Sequence, residues 1–200
     1  MKPIEVRSVE LAKVIAKPND KFPEPLRGEF AFVGRSNVGK SSLLNAIIGK
    51  RVAFVSKNPG KTRTINYYLI NSKFYLVDLP GYGYARASKK DREEWRKVIE
   101  RYFSERSWNM KALFALIDSR HELMDSDAQL LEWLEVLGIS PVVVLTKIDK
   151  LSSSELNKQL KYFEQVLSGY KIRQIIPCSS VKKEGLDKIW NVIIEELSKE

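Results

Sequence analysis

The sequence predicts an α/β protein: a doubly wound, mostly parallel sheet with one antiparallel strand and helices on both faces. Three observations carry this. Short apolar runs alternate with helix-periodic stretches along most of the 200 residues, the pattern of repeated strand–helix units. One pair of runs, Ile65–Ile70 and Phe74–Val77, is joined by Asn71-Ser72, a hairpin signal that sets one strand against the others. Residues able to do chemistry fall just after the apolar runs, where an open α/β sheet gathers its ligands.

Taken in order, residues 1–28 precede the main alternation. VRSVELAKVIA has strand character, and Pro18, Pro23 and Pro25 then favour an extended connection. This segment is expected to be an N-terminal edge extension without chemistry, with residues 29–200 forming one domain. Glu29–Val33 is nearly all apolar, as suits a parallel strand covered on both faces. Ser42–Ile48 is the first helix, stopped near Gly49. Residues 50–64 form a polar loop rich in Lys and Arg, and the hairpin follows. Asp78–Lys90 is a second loop. Asp91–Glu105 is helical, with Trp95, Val98, Ile99, Tyr102 and Phe103 on one face. Ala112–Ile117, Val142–Leu145 and Ile172–Ile176 are strands, alternating with helices at Ser126–Leu137, Ser154–Ser168 and Gly185–Ser198.

Composition narrows the class. Hydrophobic residues make up 44% and charged residues 30%, a globular balance with enough chain for a core. No apolar run reaches the ~20 residues of a membrane helix. The start, MKPIEVRSVE, lacks the apolar centre of a signal peptide. Lys2 replaces the Gly needed for myristoylation, and the final EELSKE carries no prenylation motif. A cytoplasmic protein with no membrane partner is expected. Cys178 is the only cysteine, so no intrachain disulfide can form; it reads as a packed thiol. The net charge of +9 points to a polyanionic partner, nucleic acid first, beside the plainer reading of a lysine-rich solvated surface.

The stretch Gly34 to Ser42, GRSNVGKSS, fits G-x-x-x-x-G-K-[ST] between a strand and a helix. Backbone N–H groups of Gly34, Arg35, Ser36, Asn37, Val38 and Gly39 can form an anion nest at a helix N-terminus. Lys40 can reach β- and γ-phosphates, and the Ser41 hydroxyl is a magnesium ligand. Asp78-Leu79-Pro80-Gly81 ends another apolar run. Asp78 is placed to hold magnesium directly or through water, and Gly81 to offer its N–H to a γ-phosphate. Thr146-Lys147-Ile148-Asp149 ends a third. A carboxylate at Asp149 accepts from guanine N1–H and the 2-amino group, whereas adenine would leave it unpaired. The Lys147 stem can lie over the base. Ser179-Ser180-Val181 can meet guanine O6 through backbone N–H groups, or act as a helix-capping turn.

These boxes resemble the translation-factor class of GTPases. More narrowly, the chain resembles the EngB/YihA/YsxC family of bacterial ribosome-assembly GTPases, through GRSNVGKSSLLNAI, NPGKTRTINYY, DLPGYGYA with EEW and IERYF, IDSRHEL with an aspartate shortly after it, TKID and CSS. The resemblance covers nearly the whole chain from about Ser8. It implies the P-loop GTPase fold, GTP hydrolysis with Mg2+, association with the large ribosomal subunit or its rRNA, and a need for the protein in normal growth and cell division. It puts the first switch at Gly60, Lys61, Thr62, Arg63 and Thr64, with Thr62 the magnesium ligand and Thr64 the runner-up. Asn37 is a candidate potassium ligand; the alternative is that Asn merely tolerates an unusual dihedral. Asn58 departs from the threonine usual before Pro59. Thr146 stands where many GTPases have asparagine.

Tyr82 occupies the position where other GTPases carry a glutamine that orients water, so slow turnover is expected, on the order of 10⁻⁴ to 10⁻³ per second. Arg35 and Arg63 could serve as arginines in cis. Lys57, Lys61, Arg63, Arg86, Lys89, Lys90 and Arg92 crowd the switches and are candidate RNA contacts. Tyr82 and Tyr84 could stack on bases; packing within the switch is the preferred reading. Trp108, Trp133 and Trp190 are expected to pack on the sheet and His121 to be structural, while Asp118 and Arg120 have no role derivable from sequence. A monomer that binds no DNA is expected. Two other functions compete: a switch that binds a protein effector, and an ATP-dependent small-molecule kinase. The guanine signature at Asp149 opposes the second.

Overall fold

The structure is a computed structural model that describes residues 4–53, 64–82 and 89–199, and their side chains except those of 89–92, 94 and 95. In chain order the strands and helices are β1 Val9–Ile15, β2 Glu29–Gly34, α1 Lys40–Ile48, β3 Ile65–Ile70, β4 Phe74–Asp78, α2 Lys89–Arg106, β5 Met110–Asp118, α3 Asp125–Val136, β6 Val142–Thr146, α4 Ser153–Leu167, β7 Gln174–Pro177 and α5 Leu186–Leu197. The strands form one sheet in the order β1-β3-β4-β2-β5-β6-β7. β3 runs antiparallel to both neighbours, β1 and β4, and the remaining pairings are parallel. The sheet is thus mostly parallel with one reversed strand.

The alternation of each strand decides the two cores. Phe30 and Phe32 of β2 face one side with Leu76, Phe114, Leu116 and Val144, against Leu43 and Ile47 of α1 and Ile189 and Ile193 of α5. Ala31 and Val33 face the other side with Val77, Leu113 and Ala115, against Val98 and Tyr102 of α2 and Leu130 and Leu134 of α3. Val143 and Leu145 continue that side onto Phe163 and Leu167 of α4. All six residues of β2 are buried, as expected of a central strand whose period-2 faces are both covered.

The hairpin turn closes as its residues suggest. Asn71 and Ser72 have φ of 50° and 54°, and Lys73 N–H donates to Ile70 O at 2.9 Å, a turn whose twist matches that of its strands. The Asn71 amide oxygen also accepts from the backbone of Arg7 and Ser8, and its Nδ2 donates to Glu5 O. The turn therefore anchors the segment leading into edge strand β1.

Two expectations are corrected. Trp108 does not pack on the sheet: it is 67% exposed in the turn after α2, with its indole N–H on Glu105 O. Trp133 and Trp190 do pack against the cores. The last strand begins at Gln174 rather than Ile172, because Ile172 N–H turns back to Tyr170 O and Arg173 N–H bonds Pro141 O before the ladder starts.

At the N-terminal end of β2 the wholly buried Glu29 carboxylate pairs with Arg106 of α2. Asn109 and Tyr67 also donate to it. A buried ion pair adds little net stability, but removing one member strands the other. Arg106→Met is predicted to cost about 3–5 kcal/mol of folding stability, read from the denaturant midpoint. Pairing it with Glu29→Gln should return most of that loss.

Candidate nucleotide-binding site

The C-terminal ends of β2, β4, β5, β6 and β7 gather four of the sequence boxes on one edge of the sheet. Gly34 ends β2, residues 35–39 turn, and α1 begins at Lys40. A Cβ on Gly34 would lie 2.8 Å from Val38 Cγ1 and 2.9 Å from Leu116 Cβ, so only glycine lets β5 pass so close. Gly39 has φ +108° and Asn37 +64°. These left-handed residues curl the loop as an anion nest requires, but Ser36 N–H and Val38 N–H are spent on Tyr82 O and Arg35 O, so not all six expected N–H groups are left for an anion. Asn37 therefore has a backbone reason for its identity, whatever ion it meets.

Lys40 of α1 and Asp78 at the end of β4 are both buried, and their ammonium and carboxylate are in direct contact. Ser41 follows in the first turn of the helix. Asp78 and Ser41 offer hard oxygen donors, which is the chemistry Mg2+ takes from a protein alongside phosphates and water. The residues fit that ion. A bound phosphate–metal pair would exchange partners with Lys40 and Asp78 without leaving either buried charge alone.

Leu79, Pro80 and Gly81 are buried between two backbone pairings. Phe32 opposes Asp78 in the ladder, and Arg35 then bridges Tyr82. The offset grows from 46 to 47 residues, so Pro80-Gly81 lies in a one-residue bulge, a device that re-aims a strand end. Tyr82 N–H donates to Gly34 O, and Ser36 N–H to Tyr82 O. The Tyr82 ring is buried and its hydroxyl donates to Asp127 of α3 at 2.8 Å. Tyr82 thus packs inside the fold and does not present a face to bases. The charge of Arg35 acts on both Tyr82 and Asp127, and its Nε is buried without a hydrogen-bond partner among the described residues.

On the base side, Thr146 Oγ1 lies 2.7 Å from Val38 O and 3.2 Å from Ile117 O. Its single proton serves the nearer, a carbonyl of the phosphate loop. Lys147 has φ +62°, and its ammonium donates to Asn37 O at 2.6 Å and Asp118 Oδ2 at 2.8 Å. Ile148–Lys150 form a short 3-10 turn. It presents Asp149, whose Oδ1 accepts from the buried Ser179 hydroxyl at 2.7 Å. That hydrogen bond is the main cause holding the Asp149 carboxyl below its ordinary range. Ser179 Oγ in turn accepts from Lys182 N–H. Ser180 is half-buried, and Val181 is 75% exposed.

Of the remaining candidates, Thr64 donates its hydroxyl to Asn66 Oδ1. Lys57, Gly60, Lys61, Thr62, Arg63, Tyr84 and Arg86 lie outside the described residues. Lys89, Lys90 and Arg92 open α2. Sequence reasoning gave no role to Asp118, Ser119 and Asp127, although the first two lie in IDSRHEL. Ser119 Oγ donates to Thr146 O at 2.6 Å. Asp118 sits opposite Thr146 in the β5–β6 register, a strand-end acid like Asp78, which was the available signal.

Burial chiefly raises the Asp127 carboxyl above its ordinary pKa, while the Tyr82 hydroxyl and the charge of Arg35 oppose the rise. A folded-state value above the unfolded one means that stability is lost as pH rises between them. Tyr82→Phe removes the donor and is predicted to cost about 1–3 kcal/mol at neutral pH. Denaturation series should show the deficit shrinking in acid, as Asp127 becomes protonated.

Comparison with known proteins agrees with this geometry. The family model described as 50S ribosome-binding GTPase matches residues 29–147, and that of the elongation factor Tu GTP binding domain matches residues 104–199. The chain is 54% identical over 190 residues to a probable GTP-binding protein EngB of Thermosipho africanus, covering 95% of this chain and 97% of that one. The counterpart from Aquifex aeolicus is 49% identical over 173 residues, covering 86% and 94%. A crystal structure of a probable GTP-binding protein engB superposes with a TM-score of 0.68 at 23% identity, over 86% of this chain and 100% of that one. Era in complex with MgGDPNP and a segment of 16S ribosomal RNA gives 0.68 at 23% identity, over 86% and 57%. Those two structures share the fold, and the sequence relatives decide the family: the chain belongs to the EngB family of GTP-binding proteins.

Proposed function

We propose that this GTPase binds guanine nucleotide at the assembled strand ends, hydrolyses GTP slowly, and acts in assembly of the large ribosomal subunit, where its GTP-bound form contacts rRNA or the immature particle. A role in growth and cell division would follow from that work. The observation that carries the nucleotide assignment is the fixed Asp149 carboxylate. Ser179 holds one of its oxygens, and the 3-10 turn holds its backbone, 2.7 Å being the Ser179–Asp149 distance. A preset acceptor pair of this kind rewards guanine and rejects adenine.

In this reading Gly34–Ser41 hold the phosphates, with Lys40 leaving Asp78 to meet them. Mg2+ would be held by Ser41, Asp78 and Thr62, and would supply charge neutralisation on the β- and γ-oxygens. Asn37 is the proposed potassium ligand. Thr146, Lys147, Asp149 and Ser179–Val181 form the base slot. Slow turnover is supported by Tyr82, whose hydroxyl is committed to Asp127 and which has no amide to orient water. Nothing in Tyr82 replaces that amide, so acceleration would come from the ribosomal particle or from a potassium ion held at Asn37, which would supply charge where an arginine finger otherwise does.

The ribosomal reading is supported by the description of the matched family model, a 50S ribosome-binding GTPase, and by the net charge of +9. Lys57, Lys61, Arg63, Arg86, Lys89, Lys90 and Arg92 would contact RNA in a manner that follows nucleotide state. Among the described residues no helix is long and apolar enough to cross a membrane, and a cytoplasmic monomer is proposed. A regulatory switch that binds a protein effector is the alternative.

Two measurements test these proposals. Asp149→Asn exchanges an acceptor for a donor, which opposes the guanine 2-amino group and matches the C2 carbonyl of xanthine. It should weaken GDP binding at least about a hundredfold, ~3 kcal/mol, and improve XDP binding, both read by calorimetry. Co-sedimentation with large subunits should be strongest with a non-hydrolysable GTP analogue and fall steeply with salt. Equal pelleting with GDP would oppose the ribosomal switch. Nuclease-insensitive binding would favour a protein effector.

A further inference from the structure

Asp118 lies in IDSRHEL, outside the four nucleotide boxes, yet two cations converge on it. Its Oδ2 lies 2.8 Å from Lys147 Nζ and 2.8 Å from Arg120 Nη2, while Oδ1 accepts from Arg120 Nε at 2.9 Å and Arg120 N–H at 3.2 Å. The carboxylate is largely buried, whereas the Lys147 and Arg120 side chains are partly open, at 26% and 39% exposure. The planar Arg120 fork fixes the carboxylate plane, and the carboxylate fixes the lysine.

We propose that Asp118 is a positioning residue for guanine recognition, holding the Lys147 stem extended across the phosphate loop as a preformed wall of the base slot. The inference rests on the guanine-site reading above. The geometry supports it in three ways. Lys147 is in the left-handed region at φ +62°, which is uncommon for a residue with a Cβ, so its backbone direction is set by the turn. Its ammonium is tied at the far end to both Asn37 O and Asp118. Its stem passes above Gly39, where an added Cβ would lie 3.8 Å from Lys147 Cε. A lysine stem has large rotamer freedom, and anchoring its tip before the ligand arrives removes the ordering cost from binding.

Arg120 shares this arrangement. Asp118 lies between the Arg120 guanidinium and the Lys147 ammonium. Without the Asp118 charge, Lys147 and Arg120 would repel each other, and the lysine tip would keep only a neutral carbonyl. The wall would loosen while the anion nest, built from backbone, would remain.

The experiment is release of a fluorescent GDP, followed by stopped flow, for wild type, Asp118→Asn, Lys147→Met and the double variant. Asp118→Asn keeps the shape and an acceptor oxygen but removes the charge. It is expected to speed GDP release about tenfold and to leave the affinity for inorganic tripolyphosphate, a probe without a base, within twofold of wild type. In the Lys147→Met background the same change should do nothing further, since the effect passes through the lysine. Unchanged GDP release in Asp118→Asn overturns the proposal, and so does equal weakening of tripolyphosphate, which marks a general loss of loop structure. Should Asp118→Asn not fold, Asp118→Glu keeps the charge and moves the carboxylate by one methylene. Faster GDP release with intact tripolyphosphate binding then supports the proposal, and unchanged release overturns it. Wild-type preference for GDP over ADP is recorded alongside. Its absence would sink the guanine reading, whereas its presence beside an inert Asp118→Asn would sink the positioning role alone.

Discussion

The phosphate loop has little structure of its own, and the site depends on its being held from two sides by residues distant in sequence. On one side Tyr82 continues the β4 pairing past a bulge, bonding Gly34 and Ser36 through its backbone. On the other, Thr146 and Lys147 donate to the loop carbonyls of Val38 and Asn37. The Val38 and Asn37 carbonyls turn outward to these neighbours, and Ser36 N–H and Val38 N–H are taken by Tyr82 O and Arg35 O, so an anion would draw on the remaining N–H groups of the loop and of the first turn of α1. The segment after Asp78 and the base-side turn are thereby joined through the loop between them. A change of position on either side has a direct hydrogen-bonded route to the other.

Two buried ion pairs sit at opposite ends of the sheet and differ in kind. Glu29 is held by Arg106 with Asn109 and Tyr67 as further donors, a network of buried side chains that supply one another's partners. Lys40 and Asp78 meet where strand ends, loop and helix start converge. Their charges are what a phosphate and a divalent cation need, so this pair can be exchanged and not merely broken. The chemistry of partner exchange makes burial of two charges tolerable with or without ligand, since neither state strands one of them.

Much of this was legible in the sequence because the boxes are local. Glycine at 34 and 39, Lys40, Asp78 and Asp149 each announce themselves by neighbours within a few positions, and strand ends bring them together once the sheet is drawn. What was not legible depends on distance in sequence. The Tyr82 hydroxyl finds Asp127 across 45 residues, and Lys147 finds Asp118 across 29; no spacing rule marks either partner. Trp108 misled because an aromatic residue near a strand reads as core, yet a three-residue turn after Arg106 points it outward. The start of the last strand shifted because Ile172 spends its N–H in a turn, which apolar pattern alone does not show.

The central claim is that Asp149, fixed by Ser179, makes this a guanine site. Titration of the wild-type protein with GDP and with ADP under identical magnesium tests it most directly. The account predicts tight GDP binding and ADP weaker by at least about a thousandfold, ~4 kcal/mol. Comparable affinity for the two would contradict it and leave a phosphate loop without base discrimination.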